Sequence, residues 1–352
     1  MEIHNFRSYR QVTVLFGPEI NFIVGPNASG KSNLLEALAY LGYARSFRWH
    51  EDRQLINWGA ESFLLKGELQ SNFTCCQLKI TYTPGKKEAF INDAHYRLSD
   101  YLGTYPVISF GPDDLYLLKG PPALRRQFLD REISQIDRQY CHQLRSYRHI
   151  LLQRNRLLRQ IKDGQAHIFE LDPWNEQLIT LGLAIVKRRR EFVDSLGETI
   201  SKLFKDFIDK SADLVFSYKT AIENTGEFQR LLEKSIKAEI NSGATLYGPH
   251  RDDLNCTLNG YEIRYSASQG QQRAALLTFK LAEVTYFNSV LKERPGVILD
   301  DVFSELDLAK RIALLSLLRD KGQVFLSLID LKDIEGEVPE NSKVIKVEEL
   351  RG

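Results

Sequence analysis

Read for the spacing of apolar and polar positions, the chain changes character twice. Short apolar runs at strand spacing fill residues 1–24, in MEIHNFRSY, QVTVLF and INFIV, with a turn at Gly17-Pro18. SNLLEALAYLG, residues 32–42, predicts a helix closed by Gly42. Strand-like pieces return in SFLLKGEL, CCQLKITY and KKEAFIND, around a turn at Pro84-Gly85. YPVISFGPDDL reads as a buried strand running into a polar turn. The middle is different. From about Pro122 to Ile161, apolar side chains recur at Leu129, Ile133, Ile136, Tyr140, Leu144, Tyr147 and Leu151, in steps of three and four. After a break at KDGQAHIFELDP, the series Ile185, Phe192, Leu196, Ile200, Leu203 and Phe207 continues the helical spacing. Two long helices across a short break predict an antiparallel helical hairpin. Strand alternation reappears in ADLVFSYK and DDLNCTLNGYEIRYSA. The last third alternates helix (QQRAALLTFKLAEVTYFNSVLKE, LAKRIALLSLLRD) with strand (GVILDD, QVFLSL), the order of a largely parallel sheet. The expected architecture is an α/β domain split by a helical insertion, with outer pieces able to share one sheet.

Composition adds limits. The 352 residues are 43% apolar, enough for a sizeable core in one large or two modest domains. A net charge of +1 announces no polyanionic partner, so any basic surface is local. The four cysteines, Cys75, Cys76, Cys141 and Cys256, form no CxxC pair and have no histidine cluster beside them. They read as reduced thiols of a cytosolic protein and not as a zinc site. The first residues lack an apolar segment with a small-residue cleavage site, and no apolar run approaches membrane-spanning length. The expectation is a cytoplasmic protein without a signal peptide or a membrane span.

One stretch carries chemistry by itself. Gly25, Pro26, Asn27, Ala28, Ser29, Gly30, Lys31 and Ser32, followed by Asn33, complete the pattern G-x-x-x-x-G-K-[ST]. A strand precedes it and a helix follows, as a phosphate-binding loop requires. Its glycines let backbone N–H groups turn toward phosphate oxygens, and the helix start adds positive potential. Lys31 would reach the β- and γ-phosphates of ATP, and the Ser32 hydroxyl would bind Mg²⁺. The plainer alternative is a glycine turn capping a helix. GVILDD supplies the acidic partner: a buried strand ending in Asp300 places a carboxylate at the sheet edge where ligands bind.

GPNASGKSNLLEA, SASQGQQR and VILDDVFSELD, in that order, resemble the ABC-type ATPase heads of the SMC class. NFRSY, RSFR, FGPDDLYLLKGPPALRRQFLD and YGPHRDDL resemble the RecF family of recombination mediators more narrowly, over residues 5 to about 330. The resemblance implies an α/β ABC-type ATPase head, a mixed or parallel sheet with helices, formed by residues 1–115 and 245–352. An inserted all-helical, coiled-coil-like lobe would occupy 116–244. Ser268, Gly270 and Gln271 match the signature sequence, with Gln269 where the family at large often has glycine; in such heads this segment closes over the nucleotide of a second copy, so ATP would drive homodimerisation. Asp300 matches the magnesium-binding acid. Asp301 takes the place of the usual catalytic glutamate beside Lys31, implying slow hydrolysis. Ser304 and Asp307 match the D-loop, and Ser327 falls near the position of the switch histidine. The family further implies binding of single-stranded, gapped or junction DNA, a weak DNA-stimulated ATPase, a role in recombinational repair, replication restart and the SOS response, and RecR with RecO as partners. Gln269, and Tyr265 and Ala267 before the serine, depart from the transporter signature. A short-armed SMC- or SbcC-like structural ATPase is the alternative, although its coiled coil would be far longer. A P-loop kinase would not need SASQGQQR.

Between Arg125 and Lys162 there are ten basic and three acidic residues, and KRRR follows at 187–190. Arg154, Arg156, Arg159, Arg188 and Arg189 are therefore candidates for DNA phosphate contacts. A solvated helical surface with snorkelling arginines accounts for the same charge pattern.

Overall fold

The computed structural model describes residues 1–48, 50–70, 75–303, 306–334, 339 and 341–350. Its strands are β1 (Glu2–Phe6), β2 (Tyr9–Thr13), β3 (Ile20–Val24), β4 (Phe63–Gln70), β5 (Cys75–Thr83), β6 (Lys86–Ile91), β7 (Ala94–Tyr96), β8 (Val107–Phe110), β9 (Leu214–Lys219), β10 (Asp253–Leu258), β11 (Tyr261–Glu262), β12 (Gly296–Leu299), β13 (Gln323–Leu328) and β14 (Lys343–Lys346). Its helices are α1 (Lys31–Tyr43), α2 (Leu98–Tyr101), α3 (Leu115–Lys119), α4 (Pro122–Ile136), α5 (Arg138–Lys162), α6 (Asp172–Phe207), α7 (Thr225–Ser242), α8 (Ile263–Ser266), α9 (Gln269–Val290) and α10 (Leu308–Leu318). None of the described helices is long and apolar enough to cross a membrane.

The chain divides into two compact units. The first comprises Met1–Leu115, Leu203–Lys210 and Ser268–Gly352. It contains a parallel sheet in the order β14-β3-β13-β12-β8 and an antiparallel sheet in the order β2-β1-β4-β5-β6-β7. The outer pieces of the sequence do share one sheet: β3 and β8 precede the insertion, and β12, β13 and β14 follow it. INFIV, VISF, GVIL and VFLSL are nearly continuous apolar runs because these strands are buried on both faces. Helix α1 shares one core with strands of both sheets: Leu34 and Leu38 join Phe6, Phe63, Ile298 and Phe325. The Phe63 ring meets Phe6 edge-on at 5.1 Å and Tyr40 at 5.3 Å. Gly42 does not close the helix, which runs to Tyr43 and ends on left-handed Ala44. It is glycine for space, since a Cβ there would lie 2.4 Å from Val107 Cγ2 and 2.7 Å from the Tyr105 carbonyl oxygen.

The second unit comprises Tyr116–Lys202 and Ser211–Ala267. The insertion expected to be all-helical also holds a small sheet, β11-β10-β9. Because β10 pairs with β9 from Asp253↔Lys219 to Leu258↔Leu214, the unit continues to Ala267 instead of ending at 244. The single helix read from Pro122 to Ile161 is two helices, broken at Asp137. That residue leaves the helical conformation and its carboxylate accepts from the Tyr140 N–H, starting α5 afresh. Tyr140 meets Arg189 at one end of α5 and Arg154 meets Asn175 toward the other, so α5 and α6 run antiparallel as expected.

Candidate nucleotide site

The parallel register brings the ends of three strands together. Val24 of β3 pairs with Leu328 of β13, and Leu299 of β12 pairs with Leu326. The residues just beyond these ends are the ones expected to carry the chemistry. Past Val24 the backbone curls through left-handed Ala28 and Gly30, with φ of 62° and 105°. Gly25 packs closely there: a Cβ would lie 2.8 Å from Ser29 Oγ, so that hydroxyl would have to move to admit one. The Lys31 ammonium donates to the Gly25 and Pro26 carbonyls at 2.6 and 2.8 Å and so spans the loop. Tyr9 donates to the Gly30 carbonyl at 3.1 Å, and Asn33 to Ser8 Oγ at 2.9 Å. One turn further along α1, the fully buried Glu36 takes a bidentate pair from Arg7 at 2.8 and 3.0 Å, which anchors the helix to the β1–β2 turn. The family-like stretches NFRSY and RSFR converge here, since Ser46 also donates to Glu36.

Asp300 lies beyond β12 and is buried. Its Oδ1 accepts from Ser32 Oγ and from Ser327 Oγ, each at 3.0 Å. Burial pushes its carboxyl pKa up, against those two hydroxyl donors. The Lys31 pKa is lowered by partial burial, against the charges of Asp300 and Asp301. Ser327 has a second tie, accepting the Asp301 N–H at 2.8 Å. Asp301 itself is held in the left-handed region at φ 55°, a conformation a non-glycine residue keeps only where its surroundings impose it. Ser327 thus organises both aspartates from the neighbouring strand. The sequence pointed to its position but not to this role.

Ser268 caps α9. Its Oγ accepts from the Gln271 N–H at 3.2 Å, and Gln271 Oε1 accepts from the Ser268 N–H at 2.9 Å, a reciprocal capping box. Ser268, Gln269, Gly270 and Gln271 are all exposed. A cleft of about 320 Å³ has Ser268, Gly270 and Gln271 on one wall and Asp300, Asp301 and Gly111 on another. None of residues 25–32 lines it. The signature-like segment and the phosphate loop of one chain therefore do not share this cavity. Asp307 caps α10, accepting from the Lys310 N–H at 2.9 Å, and is solvent-facing. Ser304 lies outside the described residues.

The donor set suits magnesium. Ser32 and Asp300 offer hard oxygens side by side, and no cluster of three or more His, Cys, Asp or Glu side chains able to hold a metal occurs among the described residues. Mg²⁺ takes one or two protein oxygens and completes its shell with phosphate and water.

Two of the expected DNA contacts are corrected. Arg154 is completely buried, donating to Glu239 and Thr245 at 2.7 Å and to Asn175 at 2.8 Å. Arg189 is 2% exposed, donating to Asp130 and the Pro249 carbonyl at 2.7 Å and to Tyr140 at 2.9 Å. Both are internal ties of the second unit. Arg188 pairs with Asp137 at 2.8 Å, whereas Arg156 and Arg159 are exposed. YGPHRDDL, whose purpose the sequence left open, joins the same interior. The Pro249 carbonyl receives Arg189, His250 Nδ1 receives the Tyr147 hydroxyl at 2.7 Å, Asp252 receives Tyr218, and Asp253 takes a bidentate pair from Arg125.

Comparison with known proteins agrees with this geometry. The family model described as RecF/RecN/SMC N terminal domain matches residues 1–349. The DNA replication and repair protein RecF of Moorella thermoacetica is 48% identical over 331 residues, covering 94% of this chain and 89% of its own. That of Ligilactobacillus salivarius is 36% identical, covering 99% and 95%. The solved structure of the recombination mediator protein RecF-ATP in the RecFOR pathway superposes with a TM-score of 0.90 at 31% identity, covering 98% of this chain and 94% of its own. An Smc head domain from Pyrococcus furiosus shares the fold at a TM-score of 0.52 and 16% identity. The chain belongs to the RecF family.

Proposed function

We propose that this RecF-family chain is an ATP-switched DNA-binding recombination mediator of the RecFOR pathway, acting in recombinational repair and replication restart in the cytoplasm. The observation that carries the reading is the convergence of Lys31, Ser32, Asp300, Asp301 and Ser327 at the ends of three parallel strands, with an exposed Ser268–Gln271 cap on a cleft that Asp300 and Asp301 line and residues 25–32 do not. Lys31 would exchange the Gly25 and Pro26 carbonyls for β- and γ-phosphate oxygens of ATP. The 25–30 backbone would supply further N–H donors. Ser32 and Asp300 would hold Mg²⁺, which supplies charge neutralisation on the phosphates when bound.

Ser268 and Gly270 would close over the nucleotide of a second copy. ATP then stabilises the dimer by contacts that the monomer cannot make. Asp301 would orient the attacking water. Its short side chain, and a serine in place of the switch histidine, support slow turnover and a clamp that releases DNA when ATP is spent. The name and pathway of the similar structures favour RecR and RecO as partners, and a role in the SOS response is part of the same reading.

The test is sedimentation with and without ATP-Mg²⁺ on gapped, single-stranded and duplex DNA. Dimers formed only with ATP, and absent in Lys31→Ala, are expected. A monomeric wild type in saturating ATP-Mg²⁺ and DNA overturns the switch.

A further inference from the structure

Two family-like stretches that the nucleotide site does not use, LRRQFLD and YGPHRDDL, meet at a cleft of about 300 Å³ in the second unit. Three arginines line it, Arg126, Arg148 and Arg189, against one carboxylate, Asp130. Arg189 is spent on internal bonds. Arg126 and Arg148 are not. Arg126 donates only Nη1, to the Asp252 carbonyl at 2.9 Å, and Arg148 only Nη2, to Asp130 at 2.9 Å. Their remaining N–H groups have no acceptor among the described residues, and each guanidinium keeps donors for a planar, bidentate contact. Burial, and then the charge of Arg189, lowers the pKa of Arg126 against the charges of Asp253, Asp130 and Asp252. Apolar side chains, Leu144, Leu151 and Ile185, line it as well, beside the polar groups of Gln127, Tyr147 and His250. Arginines beside an apolar wall match a phosphate ester next to its sugar and base, and the volume is at the lower bound of ordinary ligand pockets.

The cleft is not isolated. On α5 the exposed residues Arg145, Arg148, Leu152, Arg156 and Arg159 follow one another in steps of three, four, four and three, which places them on one face. This row extends about 21 Å along the helix. Arg148 belongs both to the row and to the cleft. A free nucleotide would need the cleft alone, whereas a polyanion engages the whole row.

We propose that one phosphate of a single DNA strand seats between Arg126 and Arg148, with the neighbouring backbone running along the arginine face of α5. The proposal rests on the DNA-binding reading above and adds the place. The test uses the full chain with its phosphate loop saturated by a slowly hydrolysed ATP analogue. For Arg126→Gln/Arg148→Gln, affinity for a 5′-phosphorylated oligothymidine is expected to fall about tenfold at about 0.15 M salt. The slope of log affinity against log salt becomes shallower by about 1.4, or about 0.7 for each arginine charge removed from the backbone. ATP-driven dimerisation is unchanged. Arg148→Gln alone, at a side chain more than half exposed, gives about half of each effect and guards against misfolding. Unchanged affinity and slope in both variants overturn the proposal, as does a loss confined to free thymidine monophosphate. If the wild type binds no oligonucleotide, the functional reading has failed instead. The cleft is then judged by thymidine monophosphate in calorimetry: heat abolished in Arg148→Gln keeps the phosphate seat, and no heat in the wild type removes it.

Discussion

Replacing Arg154 by alanine is expected to destabilise the second unit and, if the proposed DNA binding holds, to leave oligonucleotide affinity of the folded protein unchanged. The guanidinium is completely buried and has three partners: Glu239, Asn175 and Thr245. Glu239 is equally buried and keeps only the Leu246 N–H, at 2.8 Å on its other oxygen, when the arginine is gone. A buried carboxylate stripped of its cation destabilises by about 3–5 kcal/mol. In a unit of this size each kcal/mol lowers the melting point by about 2–4 °C, so a drop of roughly 10 °C follows. Scanning calorimetry of the full chain reads it directly. Arg154→Met/Glu239→Leu removes both charges and should recover most of the loss, since an apolar pair of similar volume can replace a buried ion pair. Oligonucleotide binding, measured well below the transition, should keep the wild-type salt slope. A melting point within about 2 °C of wild type, together with a slope shallower by about 0.7, would mean that Arg154 faces DNA and that the burial argument is wrong.

Three further outcomes are expected. Ser268→Arg should leave ATP affinity of the monomer intact and block ATP-driven dimers in sedimentation; an equal loss of nucleotide affinity would mean the segment serves its own phosphate loop. Asp301→Asn keeps a residue that tolerates the left-handed backbone while removing the carboxylate, so phosphate release should fall at least tenfold with dimerisation preserved, by analogy with the loss of a positioned general base. Burial, with repulsion from Arg251, Arg126 and Arg154, pushes His250 down to about 4. The unfolded chain binds a proton at about 6.5 and the folded one does not, so this contribution is present above about pH 6.5 and is lost as pH falls toward 4, by up to about 3 kcal/mol. Urea midpoints at about pH 7 and pH 4.5 should therefore converge more in His250→Gln than in wild type; equal differences would refute the assignment.

The phosphate loop and Asp300 were legible because each is a local feature: a strand, a glycine turn and a helix start, or an apolar run ending in acid. What the sequence could not display was the partner across the sheet. Ser327 is an ordinary serine after QVFL until β13 is known to lie between β3 and β12. The sheet of the second unit was half visible, since ADLVFSYK and DDLNCTL both alternated, but their pairing across an intervening helix was not. That helix, α7, was overlooked although Asn224 caps its start and left-handed Gly243 its end.

The arginines teach the sharper lesson, because period alone could have sorted them. Arg154 stands four residues after Ile150 and four before Leu158, in line with the buried side chains of α5. Arg189 stands four after Ile185 and three before Phe192, on the buried face of α6. Arginines at core positions of an amphipathic helix must bring their own acceptors inside, and Glu239 and Asp130 are those acceptors. Arg145, Arg148, Arg156 and Arg159 fall on the opposite face of α5 and are exposed. Summing charge over Arg125–Lys162 mixes these two populations. The part of that excess able to meet a phosphate includes the outward row together with Arg126, whereas Arg154 is neutralised by Glu239 from elsewhere in the same unit.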